Sequence, residues 1–113
     1  MATDFRLVVQ DTFTMRRPYL VILTRVDTVV TGTVERGTVR AGDTVFAHTA
    51  RGTIPAVVES IETPRAVLGT AAPGATVGIR LRGERLNLIQ RGDVIAGSEM
   101  PAEPGAAPGP AGM

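Results

Sequence analysis

The sequence predicts an all-β protein folded as a small closed antiparallel β-barrel. Residues 28–46 carry runs of β-branched residues punctuated by Glu35-Arg36-Gly37 and Ala41-Gly42-Asp43. Glycine in those slots supplies the positive φ of a tight reversal, and Val/Thr runs suit a pleated, half-buried surface. Residues 75–83 alternate cleanly: Val77, Ile79 and Leu81 share one face, Thr76, Arg80 and Arg82 the other. That is a strand with one dry side and one wet side. Turn signals also recur about every 8–12 residues, the spacing of short strands in a barrel or sandwich. Closure removes the edges that such valine-rich strands would otherwise expose.

The elements follow in order. Residues 5–10 and 12–15 read as strand, and residues 28–46 as a meander of three consecutive strands. Residues 53–62 are apolar and β-branched. Pro55 within them marks a strand start or an edge position, because proline cannot donate to a ladder. Pro73-Gly74 opens the alternating strand, and residues 84–90 suit a short helical turn. Arg91-Gly92-Asp93 then introduces Val94-Ile95-Ala96. From Glu99 the text becomes proline-, glycine- and alanine-rich with no apolar periodicity. Such a tail cannot offset its ordering entropy by burial and reads as disordered, leaving residues 3–98 as the expected folded unit and 99–113 as the tail.

Composition narrows the chemistry. With 113 residues, three Phe, one Tyr and no Trp, a single core must rest on Val, Ile, Leu and Ala. No cysteine is present, so neither a disulfide framework nor a thiolate metal site exists, in keeping with a reducing compartment. No apolar run approaches the roughly 20 residues of a membrane-spanning helix, so no membrane association is expected and the cytoplasm is the expected location. All 12 basic residues are arginine. A phosphate-binding P-loop needs its lysine, so the chain binds no nucleotide by that route. With two serines, one histidine (His48) and no cysteine, a nucleophile–base pair is hard to assemble. No catalytic residue, cofactor or metal site is expected, and His48 reads as a loop residue near a strand end.

Five segments resemble the second, β-barrel domain of elongation factor Tu and related translational GTPases. They are Asp11-Thr12-Phe13-Thr14, residues 28–37 (TVVTGTVERG), residues 39–43, residues 74–83 and Arg91-Gly92-Asp93-Val94-Ile95-Ala96. The resemblance implies a Greek-key barrel without the GTPase domain. It also implies a contact with the 3′ end of aminoacyl-tRNA, whose terminal adenine sits in a pocket with an apolar wall and a glutamate. Glu62 takes the glutamate's place, and Met15 and Val29 two wall positions. Thr76 replaces a family asparagine. Arg80 replaces a wall leucine, and two outcomes stay open. Its stem can cover a base while the guanidinium stays wet, or it can pair with Glu62 and close the pocket.

The family joins Met15 to Thr28 by a short glycine-rich turn, whereas here residues 16–27 form an insertion. Its centre, Tyr19-Leu20-Val21-Ile22-Leu23, is apolar and flanked by arginines. Either it lengthens barrel strands or it packs on a partner or a second copy. Two readings follow: a non-catalytic module contacting RNA, aminoacyl-tRNA or the translation apparatus, or a repurposed protein-interaction module or homodimer using the insertion. Arg80, Arg82, Arg85 and Arg91 are candidates for a phosphate-contacting strip.

Overall fold

The computed structural model describes residues 4–20 and 23–99, and of residues 15–20 and 23–26 the backbone alone. Among the described residues nine strands and one 3-10 turn follow in order: β1 Arg6–Leu20, β2 Leu23–Arg36, β3 Val39–Arg40, β4 Thr44–Thr49, β5 Gly52–Glu62, β6 Val67–Leu68, β7 Thr70–Ala71, β8 Thr76–Arg82, the turn Leu86–Leu88 and β9 Val94–Ala96. The main sheet runs β4-β9-β1-β2-β8-β5-β6, and β4 pairs again with β5, which closes it into a six-stranded antiparallel barrel. Two sequence-local hairpins, β1–β2 and β4–β5, are thus joined on one side by β8 and on the other by β9. This is the expected barrel.

The core follows from alternation. Val30 and Val34 of β2, Val45 and Ala47 of β4, Ile54, Ala56 and Val58 of β5, and Val77, Ile79 and Leu81 of β8 all point inward and are buried. Phe5, Leu7, Leu86, Ile89 and Ile95 plug the cluster. Burial of a Val, Leu or Ile side chain contributes about 1.5–3 kcal/mol each, so this apolar interior is the main source of stability in a chain with few aromatics.

One expectation is corrected. Residues 28–46 do form three consecutive strands, but not a meander: β2 pairs with β1 and β8, β3 with β7, and β4 with β5 and β9. Gly37 does have positive φ, +72°. Its turn, however, leads into β3, which pairs with β7 instead of folding back on β2. A Cβ on Gly37 would lie 2.5 Å from the Asp4 carbonyl carbon, so the reversal also packs directly on the segment entering β1.

Pro55 sits within β5 on its edge side. The Val58 N–H donates to the Asp43 carbonyl and the Val58 carbonyl accepts from the Gly42 N–H, so these groups face the β4 side. Alternation turns the backbone of Val57 and Pro55 the other way, and there the β8 ladder begins only at Val57↔Arg82. Pro55 therefore omits a donor where no strand asks for one. His48 lies in β4, not in a loop. Its Nε2 is 2.9 Å from the Ser98 carbonyl and its Nδ1 3.1 Å from the Thr53 hydroxyl. A carbonyl only accepts, so Nε2 carries the proton toward Ser98, and the ring ties the chain after β9 to the β4–β5 hairpin.

The insertion lengthens strands. Pairing of β1 with β2 continues from Met15↔Asp27 through Arg17↔Arg25 to Leu20↔Leu23. The β8 ladder on β2 stops at Thr28 and the β9 ladder on β1 stops at Val8. Beyond the barrel the two strands thus form a two-stranded arm. Val21 and Ile22, and the expected tail apart from Glu99, lie outside the described residues. Among the described residues no helix is long and apolar enough to cross a membrane.

Candidate functional site: the outer face of β2, β8 and β5

Three strands place the resemblance-derived residues. Arg80 lies opposite Val29 of β2 and opposite Ser60 of β5, so the three side chains form a row across the outer face. Glu62 and Thr31 flank Gly78 in the neighbouring row. Glycine at 78 leaves this row low: a Cβ there would only just touch Val29, at 3.5 Å.

The guanidinium of Arg80 fills the centre of this face. Its Nη1 donates to Asp27 Oδ2 at 2.7 Å, and its Nη2 to Glu62 Oε2 at 3.1 Å. The Ser60 hydroxyl donates to the same Glu62 oxygen at 2.8 Å. The result is a Ser60–Glu62–Arg80–Asp27 chain that laces β5, β8 and β2 together. The Asp27 side chain is 1% exposed and that of Arg80 13%, while Glu62 keeps 38%. Burial by itself lowers the pKa of the Arg80 guanidinium. The hydrogen bonds and charges of Glu62 and then Asp27 outweigh it, and the pKa is raised above the ordinary arginine value. Arg80 is a permanent cation held by two carboxylates.

Of the two outcomes left open for Arg80, the structure selects the paired one and adds Asp27 to it. Glu62, Arg80 and Val29 come together on one face. Met15 is opposite Asp27 in the β1–β2 ladder, at the edge of this face. Thr76 stands on the same face of β8 but nearer the strand start, its hydroxyl 2.8 Å from that of Thr33. Sequence reasoning missed Asp27 and Ser60. Asp27 is 53 positions from Arg80 and reads as the last residue of the insertion, so only the β2–β8 ladder reveals the pair. The alternation of β5 did hold a signal for Ser60, two residues before Glu62.

The arginine strip is not continuous. Arg80 is held by carboxylates, and Arg91, at the β9 entry, lies 3.9 Å from Asp11 of β1. Arg82 and Arg85 do come together in the lining of a pocket of about 320 Å³ that also takes in Glu84, Pro55, Ala56 and Val57. Arg85 adopts left-handed backbone at φ 60° beside Gly83 and Glu84. Among the described residues no cluster of three or more His, Cys, Asp or Glu is placed to hold a metal ion.

A sequence model of the family described as elongation factor Tu domain 2 matches residues 27–96. The chain belongs to the elongation factor Tu domain 2 family. The match begins at Asp27, the residue that anchors Arg80, and ends with β9. Membership accounts for the closed barrel. Strand β1 and most of the arm lie before the matched span.

Proposed function

We propose that this domain is a non-catalytic, translation-factor-like binding module that contacts RNA through phosphates and does not hold a terminal adenosine in the family pocket. The observation that carries the reading is the Arg80 cation bonded to both Asp27 and Glu62, in the place the resemblance gives to an apolar wall. A base entering there must displace a charged group from two carboxylates and leave an almost fully buried Asp27 without that partner, which costs several kcal/mol. The phosphate-contacting groups are Arg82 and Arg85, exposed at one pocket rim and ion-paired to no carboxylate among the described residues. Family membership supports a translation setting for the RNA.

The test is equilibrium binding of a short single-stranded RNA at rising salt. Log affinity falls linearly with log salt, and Arg82→Ala or Arg85→Ala each weakens binding and flattens the slope by about one phosphate's share, ~0.7 for a single strand. Binding that ignores salt, or no binding at micromolar protein, removes this reading.

A second reading, contact with a protein through the arm, is favoured by one observation: the β1–β2 pairing runs past both barrel ladders to Leu20↔Leu23. Leu20→Asp or Ile22→Asp then abolishes partner capture or association and spares RNA affinity.

A further inference from the structure

We propose that the domain pairs with a second copy of itself through the open edge of β1, residues 11–17, antiparallel about a two-fold axis at Thr14. This goes beyond RNA contact and deepens the second reading only in naming the partner and the surface.

The edge is defined at both ends. The β9 ladder covers β1 at Arg6, Leu7 and Val8, and the Gly92–Asp93 turn covers Val9, which donates to the Asp93 carbonyl and accepts from the Gly92 N–H. A register shift between Val9 and Asp11 then leaves Gln10 as a bulge. At the far end Pro18 lacks a donor. Between these limits, among the described residues, β1 is paired on its β2 side alone. A strand edge with free backbone groups is a template for another strand. Near its centre stands Phe13, 49% exposed and so one of two large apolar side chains the described surface leaves out.

The occupant is set by self-complementarity. Two-fold pairing makes each position meet its mirror across the axis, and the midpoint of residues 11–17 is Thr14. In that register Asp11 comes opposite Arg17 of the second copy, Thr12 opposite Arg16, Phe13 opposite Met15, and Thr14 opposite itself. An acid thus meets a base, an apolar residue an apolar one, and threonine threonine, all of them favourable cross-strand pairs. The symmetry supplies the charge pair twice. Asp11 is available for it: its carboxylate is half exposed and its only described protein contacts are the neighbouring Thr12 N–H and Arg91 at 3.9 Å. Joining the two edges sets the base of each arm, residues 15–17, against residues 11–13 of the other copy, where β2 and β8 already back the strand, so each marginal two-stranded arm gains the further strands that an isolated hairpin needs.

The experiment is sedimentation velocity of the whole chain over a micromolar concentration range. The wild type shows a concentration-dependent dimer. Asp11→Arg alone and Arg17→Asp alone each weaken it by about tenfold, since each turns two attractive pairs into repulsive ones. The double variant D11R/R17D restores it, which a merely misfolded arm would not do. A monomer at every concentration overturns the proposal, as does a dimer that none of the three variants weakens. Loss of the dimer in Leu20→Asp or Ile22→Asp with no effect of the charge variants also overturns it, while leaving the arm's protein contact standing.

Discussion

Arg80 shows how one residue can tie three strands together across the outer face. It occupies a position on the wet face of β8, where alternation alone makes it a solvated arginine. The barrel brings Asp27 and Glu62 onto it from the strands on either side. Arg80→Leu, the residue type the resemblance gives at this position, destabilises the fold by about 3 kcal/mol because it removes the guanidinium bonded to the buried Asp27 carboxylate. Urea denaturation measures this, and an unchanged midpoint contradicts it. Glu62→Gln, at the wetter end of the chain, costs less than about 1 kcal/mol. The pH dependence follows from the sign of the shift. A cation whose pKa is raised on folding stabilises fully at every pH below its unfolded value and loses that contribution only above it, in the extreme alkaline range. Melting temperature therefore shows no step from Arg80 between neutral and moderately alkaline pH. Gly32 is a second decisive residue: a Cβ there would meet the Val8 carbonyl oxygen at 2.5 Å and Leu7 Cδ2 at 2.8 Å. The nearest obstacle is backbone, which cannot rotate away, so Gly32→Ala costs about 1–3 kcal/mol by the same denaturation measurement.

At the scale of elements, legibility tracked locality. The β8 strand was readable because Val77, Ile79 and Leu81 alternate without interruption, and all three are buried. The turn at Leu86–Leu88 and the edge position of Pro55 were readable from local chemistry. The meander was not, because strand existence is written in a few neighbouring residues whereas strand partnership depends on where β8 and β9 return. Within the candidate site, Glu62 and Val29 were placed by the resemblance. Asp27 was invisible because its partner lies 53 residues away. The insertion's two readings could not be separated from sequence, since an apolar run between arginines suits a paired strand and a contact surface equally. The structure pairs it, and the arm is an appendage: neither the β8 nor the β9 ladder reaches it. Replacing residues 17–25 by a two-residue Asn-Gly turn therefore leaves the barrel folded, with a melting temperature within a few degrees of the full chain. Loss of cooperative unfolding in that variant would show the arm to be part of the core.

For the whole molecule, closure decides both stability and function. Two local hairpins become one barrel only when β8 and β9 arrive between them, so most contacts are distant in sequence and folding is expected on the slow, millisecond-to-second side. Stopped-flow refolding checks this, and microsecond refolding would contradict the topology. Past the β9 ladder β1 keeps an open edge, and Arg80, bonded to Asp27 and Glu62, fills the centre of the outer face of β2, β8 and β5. The proposed contacts therefore lie around it: Arg82 and Arg85 in the RNA reading, and the arm in the protein-contact reading. The most direct test compares the affinity of an RNA ending in adenosine with that of the same RNA lacking the terminal nucleotide. Equal, salt-sensitive affinities are predicted. A marked loss on removing the adenosine would mean that the pocket still opens past Arg80 and would contradict the account.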